Sequence, residues 1–262
     1  MKQKSERRER TSRGLHRVSL VRALSKLGYS SRSRAAEIIQ SGAVTVNGIE
    51  AKNPFRWIDL SKDKVQVFRK EIQPKQNRVV LLHKPRGVVT TRSDERGRMT
   101  VFDVMGEEAE GLVAAGRLDR ETSGLLILTN NHRLAEFLTN PESGIEKKYR
   151  AKLDAELAPS VLHQLQSGLE ILVDGKPYRT KPAKVSKVAA ASYEFILSEG
   201  KNRQIRRMLE AVGREVVDLK RTTVGTLGIG DLKEGSWREA RKDELEALRT
   251  LMNDNRRHAI HR

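Results

Sequence analysis

Gly116-Arg117-Leu118-Asp119, continuing through Arg120-Glu121-Thr122-Ser123-Gly124 into Leu125-Leu126-Ile127-Leu128-Thr129-Asn130, sets one aspartate in a glycine-bounded turn between two apolar runs. Leu112-Val113-Ala114-Ala115 reads as a strand running into the turn, and Leu125 to Thr129 as a buried strand leaving it. A short loop held between core strands is a fixed mount for a reactive side chain. Arginines on both sides favour the ionised carboxylate, so Asp119 can act as nucleophile or base. An isolated Arg-Leu-Asp is more simply a surface turn closed by an ion pair, and the rest of the chain decides between the two.

Outward from that turn, Val79-Val80-Leu81-Leu82-His83 reads as a strand. Lys84-Pro85-Arg86-Gly87 then suits a tight reversal into a second antiparallel strand at Val88-Val89-Thr90-Thr91. Further strands are expected at Lys148–Leu153, Ser192–Leu197 and Glu215–Leu219. Helices are expected near 132–139, 159–167 and 202–212, and Leu245, Leu248 and Leu251 mark a closing helix. Strands and helices mix without regular βαβ alternation, which predicts an α+β domain over 79–252.

Composition narrows the partners. The chain has 262 residues and a formal net charge of +17, an excess that points to a polyanion such as nucleic acid. A basic membrane-surface protein is the rival, but no apolar run approaches the ~20 residues that span a bilayer. The amino terminus also lacks a signal-peptide apolar core, so a soluble, cytoplasmic protein is expected. There is no cysteine, which excludes disulfides, thiol nucleophiles and thiolate zinc sites together.

The charge is uneven. Residues 1–17 carry seven Lys or Arg against two Glu and read as a disordered basic arm able to neutralise phosphates. The stretch 253–262 reads as a disordered polar tail. From Val18 to Phe68 the pattern is helix, helix, short strands. Leu20, Ala23, Leu24 and Leu27 form a stripe stopping at Gly28, and Ser31 is placed to cap a second helix burying Ala35, Ile38 and Ile39. Val44-Thr45-Val46 then runs into an Asn47-Gly48 hairpin turn. Arg22, Lys26, Arg32 and Arg34 fall on the polar faces, as a recognition surface or a merely solvated one. Residues 69–78 lack periodicity and read as a linker.

Two further features carry chemistry. In the helix after Gly200, Ile205, Met208, Leu209 and Val212 form a buried stripe, while Lys201, Arg203, Arg206 and Arg207 crowd the first turns. Cations at the positive end of a helix are unfavourable unless an anion stands nearby, either a phosphate or the Asp119 carboxylate. In Lys147-Lys148-Tyr149-Arg150, Tyr149 alternates with Ala151 and Leu153 onto one strand face and the charges onto the other. Tyr149 is then either a core residue or a base-stacking platform. The six histidines show no metal-ligand spacing, and neither a phosphate-binding loop nor a Gly-x-Ser-x-Gly elbow occurs.

Gly28-x-x-Ser31-Arg32-x-x-Ala35-x-Glu37, followed by Gly42-x-Val44-x-Val46-Asn47-Gly48, resembles the RNA-binding domain named after small-subunit ribosomal protein S-four, with Ser33 where that family carries a second arginine. Several motifs farther along resemble the bacterial ribosomal-RNA pseudouridine synthases of the RsuA/RluB family. They are His83-Lys84-Pro85-x-Gly87, Gly116-Arg117-Leu118-Asp119-x-x-Thr122-Ser123-Gly124, Lys148-Tyr149-Arg150, Glu199-Gly200-Lys201-Asn202-Arg203-Gln204-Ile205-Arg206-Arg207 and Gly228-x-Gly230-Asp231-Leu232.

That resemblance implies a small helix-helix-strand RNA-binding domain and a catalytic domain with a mixed, largely antiparallel sheet. It implies isomerisation of a uridine in ribosomal RNA, more in keeping with the large-subunit enzymes, on free RNA or an assembly intermediate. By the resemblance Asp119 is the catalytic carboxylate, Tyr149 packs on the target base, and Lys201 pairs with the carboxylate. Ile205 supplies an apolar wall and Arg117 fills space left by a flipped nucleotide. Arg203, Arg206, Arg207, Lys84 and Arg86 are the remaining expected substrate-binding residues. Neither cofactor nor metal is required, and a monomer is expected. The alternative is a non-catalytic RNA-binding or ribosome-assembly factor on the same fold, for which the full set of Asp119, Tyr149 and Lys201 would have no use.

Overall fold

The computed structural model describes residues 17–30, 32–72 and 76–260, with side chains to 255. The chain divides into two units between Asn77 and Arg78. No helix among the described residues is long and apolar enough to cross a membrane.

In the first unit, β1 (Arg17–Ser19) leads into α1 (Leu20–Lys26), and α2 (Arg32–Gln40) follows. The first helix ends because Gly28 turns left-handed (φ 73°), which lets Tyr29 N–H return to Leu24 O at 2.9 Å. Strands β2 (Val44–Val46) and β3 (Ile49–Glu50) form the expected hairpin, with Asn47 and Gly48 at φ 54° and 79°. After β4 (Trp57–Asp59), strand β5 (Val65–Val67) pairs with β2. Leu20, Leu24, Ile39, Val44 and Ile58 are among the residues that make its core.

The expectations for the linker and the tail change, and that for the basic arm falls almost wholly outside the described residues. The linker does not begin at 69: Phe68 and Arg69 both take positive φ and reverse the chain, so β6 (Lys70–Glu71) pairs with β5. The basic arm lies outside the described residues except for Arg17, which belongs to β1; Ser31 also lies outside them. The tail from 253 is helical to Ile260, because no glycine or proline follows residue 241 and the Leu245, Leu248, Leu251 stripe packs on the core.

The second unit is built on a nine-stranded mixed sheet. Its first strand, β7 (Val79–Lys84), is wholly buried. Then come α3 (Val101–Met105), β8 (Val113–Ala114), β9 (Ser123–Thr129), α4 (His132–Thr139) and β10 (Lys147–Leu153). Next are α5 (Pro159–Ser167), a separate hairpin of β11 (Glu170–Val173) and β12 (Lys176–Arg179), β13 (Lys184–Ala189) and β14 (Ser192–Leu197). The chain closes with α6 (Gln204–Ala211), β15 (Val216–Val224), β16 (Leu227–Gly228), β17 (Trp237–Glu239) and α7 (Lys242–Ile260). The main strand order is β13-β14-β10-β15-β9-β7-β17. The β15–β9 pair is parallel and its neighbours are antiparallel, so the sheet is mixed and largely antiparallel as expected.

Both faces of the sheet centre are covered, which explains its continuous apolar strands. Leu81, Leu125 and Ile127 face α4 and α7, whereas Val80, Leu82, Leu126 and Leu128 face α3. The expected strand at Val88–Thr91 does not form. Both edges of β7 are already taken, by β9 and by β17, so Val89 makes only an isolated bridge to Thr100.

Candidate active site

A cavity of about 770 Å³ opens where the Asp119 turn meets β10, β15 and the start of α6. Asp119, Tyr149 and Lys201 all line it, as do Arg117, Arg203 and Ile205. Three distant segments therefore converge on one wall.

The backbone around Asp119 is pinned from every side. Thr90 Oγ1 donates to Leu118 O at 3.0 Å, and Gly87 N–H to Arg120 O at 2.8 Å. Arg206 donates to Glu121 O at 2.9 Å, and Thr122 N–H closes the turn on Asp119 O at 3.0 Å. A carboxylate on so constrained a loop loses little entropy when it reacts.

Three carboxylates line the cavity, and two are already engaged. Asp94 is held by Arg98 at 2.6 Å, and that guanidinium, with backbone donors, keeps its carboxyl far below the usual range. Glu199, 4% exposed, accepts from Tyr178 Oη (2.6 Å), Lys181 N–H (3.0 Å) and Gln204 Nε2 (2.5 Å). The Asp119 side chain accepts no hydrogen bond and closes no ion pair among the described residues. It is the unengaged carboxylate of a cavity whose lining holds more than twice as many arginines and lysines as acids.

Tyr149 is half-buried and bridges two apolar clusters, opposite Phe195 on β14 and Arg221 on β15. Of its charged neighbours, Lys148 and Arg150 alternate onto the other face. Lys147 does not: it shares Tyr149's face and lines the cavity. Burial, with Arg221 nearby, pushes the Lys147 ammonium down to about 8.

Lys201 is held at both ends. Its backbone N–H donates to Gln204 Oε1 at 3.0 Å, and its ammonium sits 4.5 Å over the Tyr178 ring. The Glu199 hydrogen bond, with burial, raises the Tyr178 phenol to about 12, so the ring stays neutral while it carries the cation. The helix beyond begins with Arg203 in the left-handed region, φ 52°, without a side-chain cap.

Four expected substrate contacts are not on the cavity. Lys84 is wholly buried; its Nζ donates to Pro85 O (2.8 Å), Val88 O (2.7 Å) and, at 3.5 Å, Arg120 O. Burial pushes it down to about 8 while the Asp119 carboxylate pulls the other way, and its contacts buttress the Asp119 turn. Arg206 ties Glu121 O to Val216 O, and burial lowers its pKa. Arg207 turns to Leu172 O and Asn202 on the β11–β12 side. Arg86 pairs with Glu121 at 3.0 Å. Each found an internal acceptor that sequence spacing does not show. In the first unit Arg22, Lys26, Arg32 and Arg34 are all exposed, with Arg34 paired to Glu37 at 2.7 Å.

Sequence reasoning missed Tyr178, Thr90 and Arg221. The signal for Arg221 was its alternation with Leu219, which puts an arginine at an inward strand position. Among the described residues no three acids or histidines gather in a metal-holding group.

A family model described as "RNA pseudouridylate synthase" matches residues 78–211, and one described as "S4 domain" matches 18–54. A protein of Aquifex aeolicus named "Uncharacterized RNA pseudouridine synthase" is 33% identical, over 91% of this chain and 99% of that one. "Ribosomal large subunit pseudouridine synthase B" of Bacillus subtilis is 34% identical, over 88% of this chain and 96% of that one. A solved structure described as "Crystal structure of pseudouridylate synthase" superimposes with a TM-score of 0.63 at 28% identity, covering 88% of this chain and 99% of that one. With the match lying over the very unit that assembles the Asp119 cavity, this chain belongs to the RNA pseudouridylate synthase family and carries an S4 domain ahead of its catalytic unit.

Proposed function

We propose that the protein converts one uridine of large-subunit ribosomal RNA to pseudouridine, with Asp119 as the catalytic carboxylate. The observation that carries this is the unengaged Asp119 carboxylate, fixed by its pinned loop beside Tyr149 and Lys201 in one cavity. The ribosomal large-subunit assignment draws support from the name of the Bacillus subtilis relative.

The reaction breaks the bond from C1′ to N1, turns the uracil, joins C1′ to C5 and removes the C5 proton; no atom is gained or lost overall. A stacked uridine must first leave its helix, and Arg117, exposed at the rim, fills the vacated place. Asp119 attacks the substrate or takes a ribose proton. Tyr149 packs on the base and assists loss of the C5 proton, with Ile205 as the facing wall. Lys201, its ammonium resting on the Tyr178 ring, is the cation held ready for Asp119 and the bound nucleotide, and Arg203 contributes charge at the same rim. The isomerisation changes no oxidation state and gains no atom, so the proposed reaction calls on a single chain and on neither cofactor nor metal.

The first unit brings the RNA. Its exposed Arg22, Lys26, Arg32 and Arg34 contact phosphates, and deleting residues 1–68 flattens the salt dependence of RNA binding. The substrate is ribosomal RNA, free or in an assembly intermediate, in the cytoplasm.

The test is a pseudouridine map of ribosomal RNA from cells lacking the protein, complemented with wild type or Asp119→Asn. One position lost, and restored only by wild type, is the expected result. Equal restoration by Asp119→Asn refutes the mechanism, and an unchanged map leaves a binding or assembly role instead.

A further inference from the structure

Of the cations lining the cavity that the mechanism above leaves without a task, Arg221 is the most buried. Arg221, on β15, is 4% exposed and lines the cavity. Its Nε donates to Leu125 O at 2.8 Å, but its Nη2 is buried with no hydrogen-bond partner among the described residues. Among the described residues no carboxylate closes an ion pair with it. Thr122, 2% exposed and three residues beyond Asp119, lines the same cavity with a buried Oγ1 equally without a partner.

Such groups are unfavourable in a resting protein. A buried cation without a partner loses its hydration and gains nothing in return, and a buried hydroxyl without a partner does the same on a smaller scale. The sheet nevertheless accommodates Arg221 with some trouble. The parallel ladder sets it beside Gly124, whose missing side chain leaves room for the Arg221 backbone: a Cβ there would stand 2.2 Å from Arg221 O. Arg221 also stands directly across the ladder from Tyr149. Side chains paired in this way lie about 5 Å apart, so whatever rests on the Tyr149 ring has its edge beside the guanidinium.

We propose that Arg221, assisted by Thr122, binds the carbonyl edge of the flipped uracil and stabilises the negative charge that develops there as the glycosidic bond breaks. This rests on the function proposed above and adds to it the groups that receive the base. The electron pair of the C1′–N1 bond passes to the ring and spreads onto the carbonyl oxygens, and returns to carbon when C5 is joined to C1′. A fixed donor in a dry wall is most effective for such transient charge. Depth selects the base over a phosphate: the backbone stays with the neighbouring nucleotides, whereas the base is the part of a flipped nucleotide that enters farthest.

The test uses the full chain in two variants, Arg221→Met and Thr122→Val, both close in volume to the native residue. Each is read by thermal unfolding, by affinity for large-subunit ribosomal RNA extracted from cells lacking the protein, and by single-turnover pseudouridine formation on that RNA. Arg221→Met is expected to melt at or above the wild-type temperature and to bind the RNA as wild type does. It forms product ~10²–10³-fold more slowly, the loss typical of one missing donor to a developing anion. Thr122→Val shows the same pattern with a smaller rate loss. An Arg221→Met protein that melts several degrees lower, with a rate loss explained by the fraction unfolded, overturns the proposal in favour of a structural role. One that is as fast as wild type overturns it outright. Wild-type protein that makes no pseudouridine removes both this proposal and the function beneath it, whereas active wild type with fast Arg221→Met removes this one alone.

Discussion

Gly124→Ala should uncouple the two halves of the catalytic sheet. Gly124 holds φ at +107°, which an alanine adopts only at a cost of about 1–3 kcal/mol. Its new Cβ would also fall 2.2 Å from Arg221 O and 2.6 Å from Arg221 N. Both atoms are backbone, so relief requires β15 to move from β9; overpacking of this kind costs about 1–3 kcal/mol, occasionally more. The two costs together come to about 2–6 kcal/mol, a large share of the ~5–15 kcal/mol that holds a domain folded. For a unit of this size that lowers the melting temperature by on the order of 10 °C. The chain has two tryptophans, one in each unit, so a Trp57→Phe background leaves Trp237 to report on the larger unit alone. Gly213→Ala is the control: it also sits at positive φ, +70°, but its Cβ meets nothing within 4 Å, so only the conformational cost remains. If Gly124→Ala melts no lower than Gly213→Ala, the close approach of β15 to β9 is not what the glycine is for.

Lys84→Met keeps the length of the side chain but removes three contacts to backbone carbonyls, of which the one to Val88 is buried. It should cost about 2–4 kcal/mol in urea unfolding, and a neutral result would argue against the buttress. Tyr178→Phe keeps the ring under Lys201 and should retain most single-turnover activity, while Tyr178→Leu loses the cation–π contact and should lower kcat with little change in KM. Equal kcat in the two variants would separate Lys201 placement from the ring. Lys147, held down to about 8, carries fewer protons in the folded than in the unfolded state between about pH 8 and the ordinary lysine value of 10.5. Its contribution therefore makes stability rise with pH across that window, and Lys147→Met should show a shallower rise by thermal unfolding; an identical slope would mean Lys147 keeps its proton.

The sequence made most of this fold legible where the determining forces are local. Continuous apolar runs disclosed β7 and β9, alternation disclosed β10 and β14, and Asn47-Gly48 disclosed the first hairpin. Where pairing is decided by distant strands the reading failed. Val88–Thr91 has ample strand character but no edge left to join, and Lys70–Glu71 became a strand through two non-glycine residues at positive φ. The candidate site divides in the same way. Asp119, Tyr149 and Lys201 stood out through motif and context, and all three reach the cavity. Lys84, Arg86, Arg206 and Arg207 were expected beside substrate because basic residues near a motif look alike in sequence. The structure distinguishes them by which carbonyls and carboxylates they meet, and those acceptors come from elsewhere in the chain.

The span between Arg221 and Leu125 has a bearing on how the protein is made. The two residues joined by that hydrogen bond are 96 positions apart, and β15 is also the strand that bridges β10 to β9. No part of the cavity wall near Asp119 is complete until the ribosome has synthesised nearly the whole chain. The first unit closes a core of its own between Val18 and Ile72. Domains emerge and fold from the amino end, so during each round of synthesis the RNA-gripping unit is ready while the chemistry is still unbuilt.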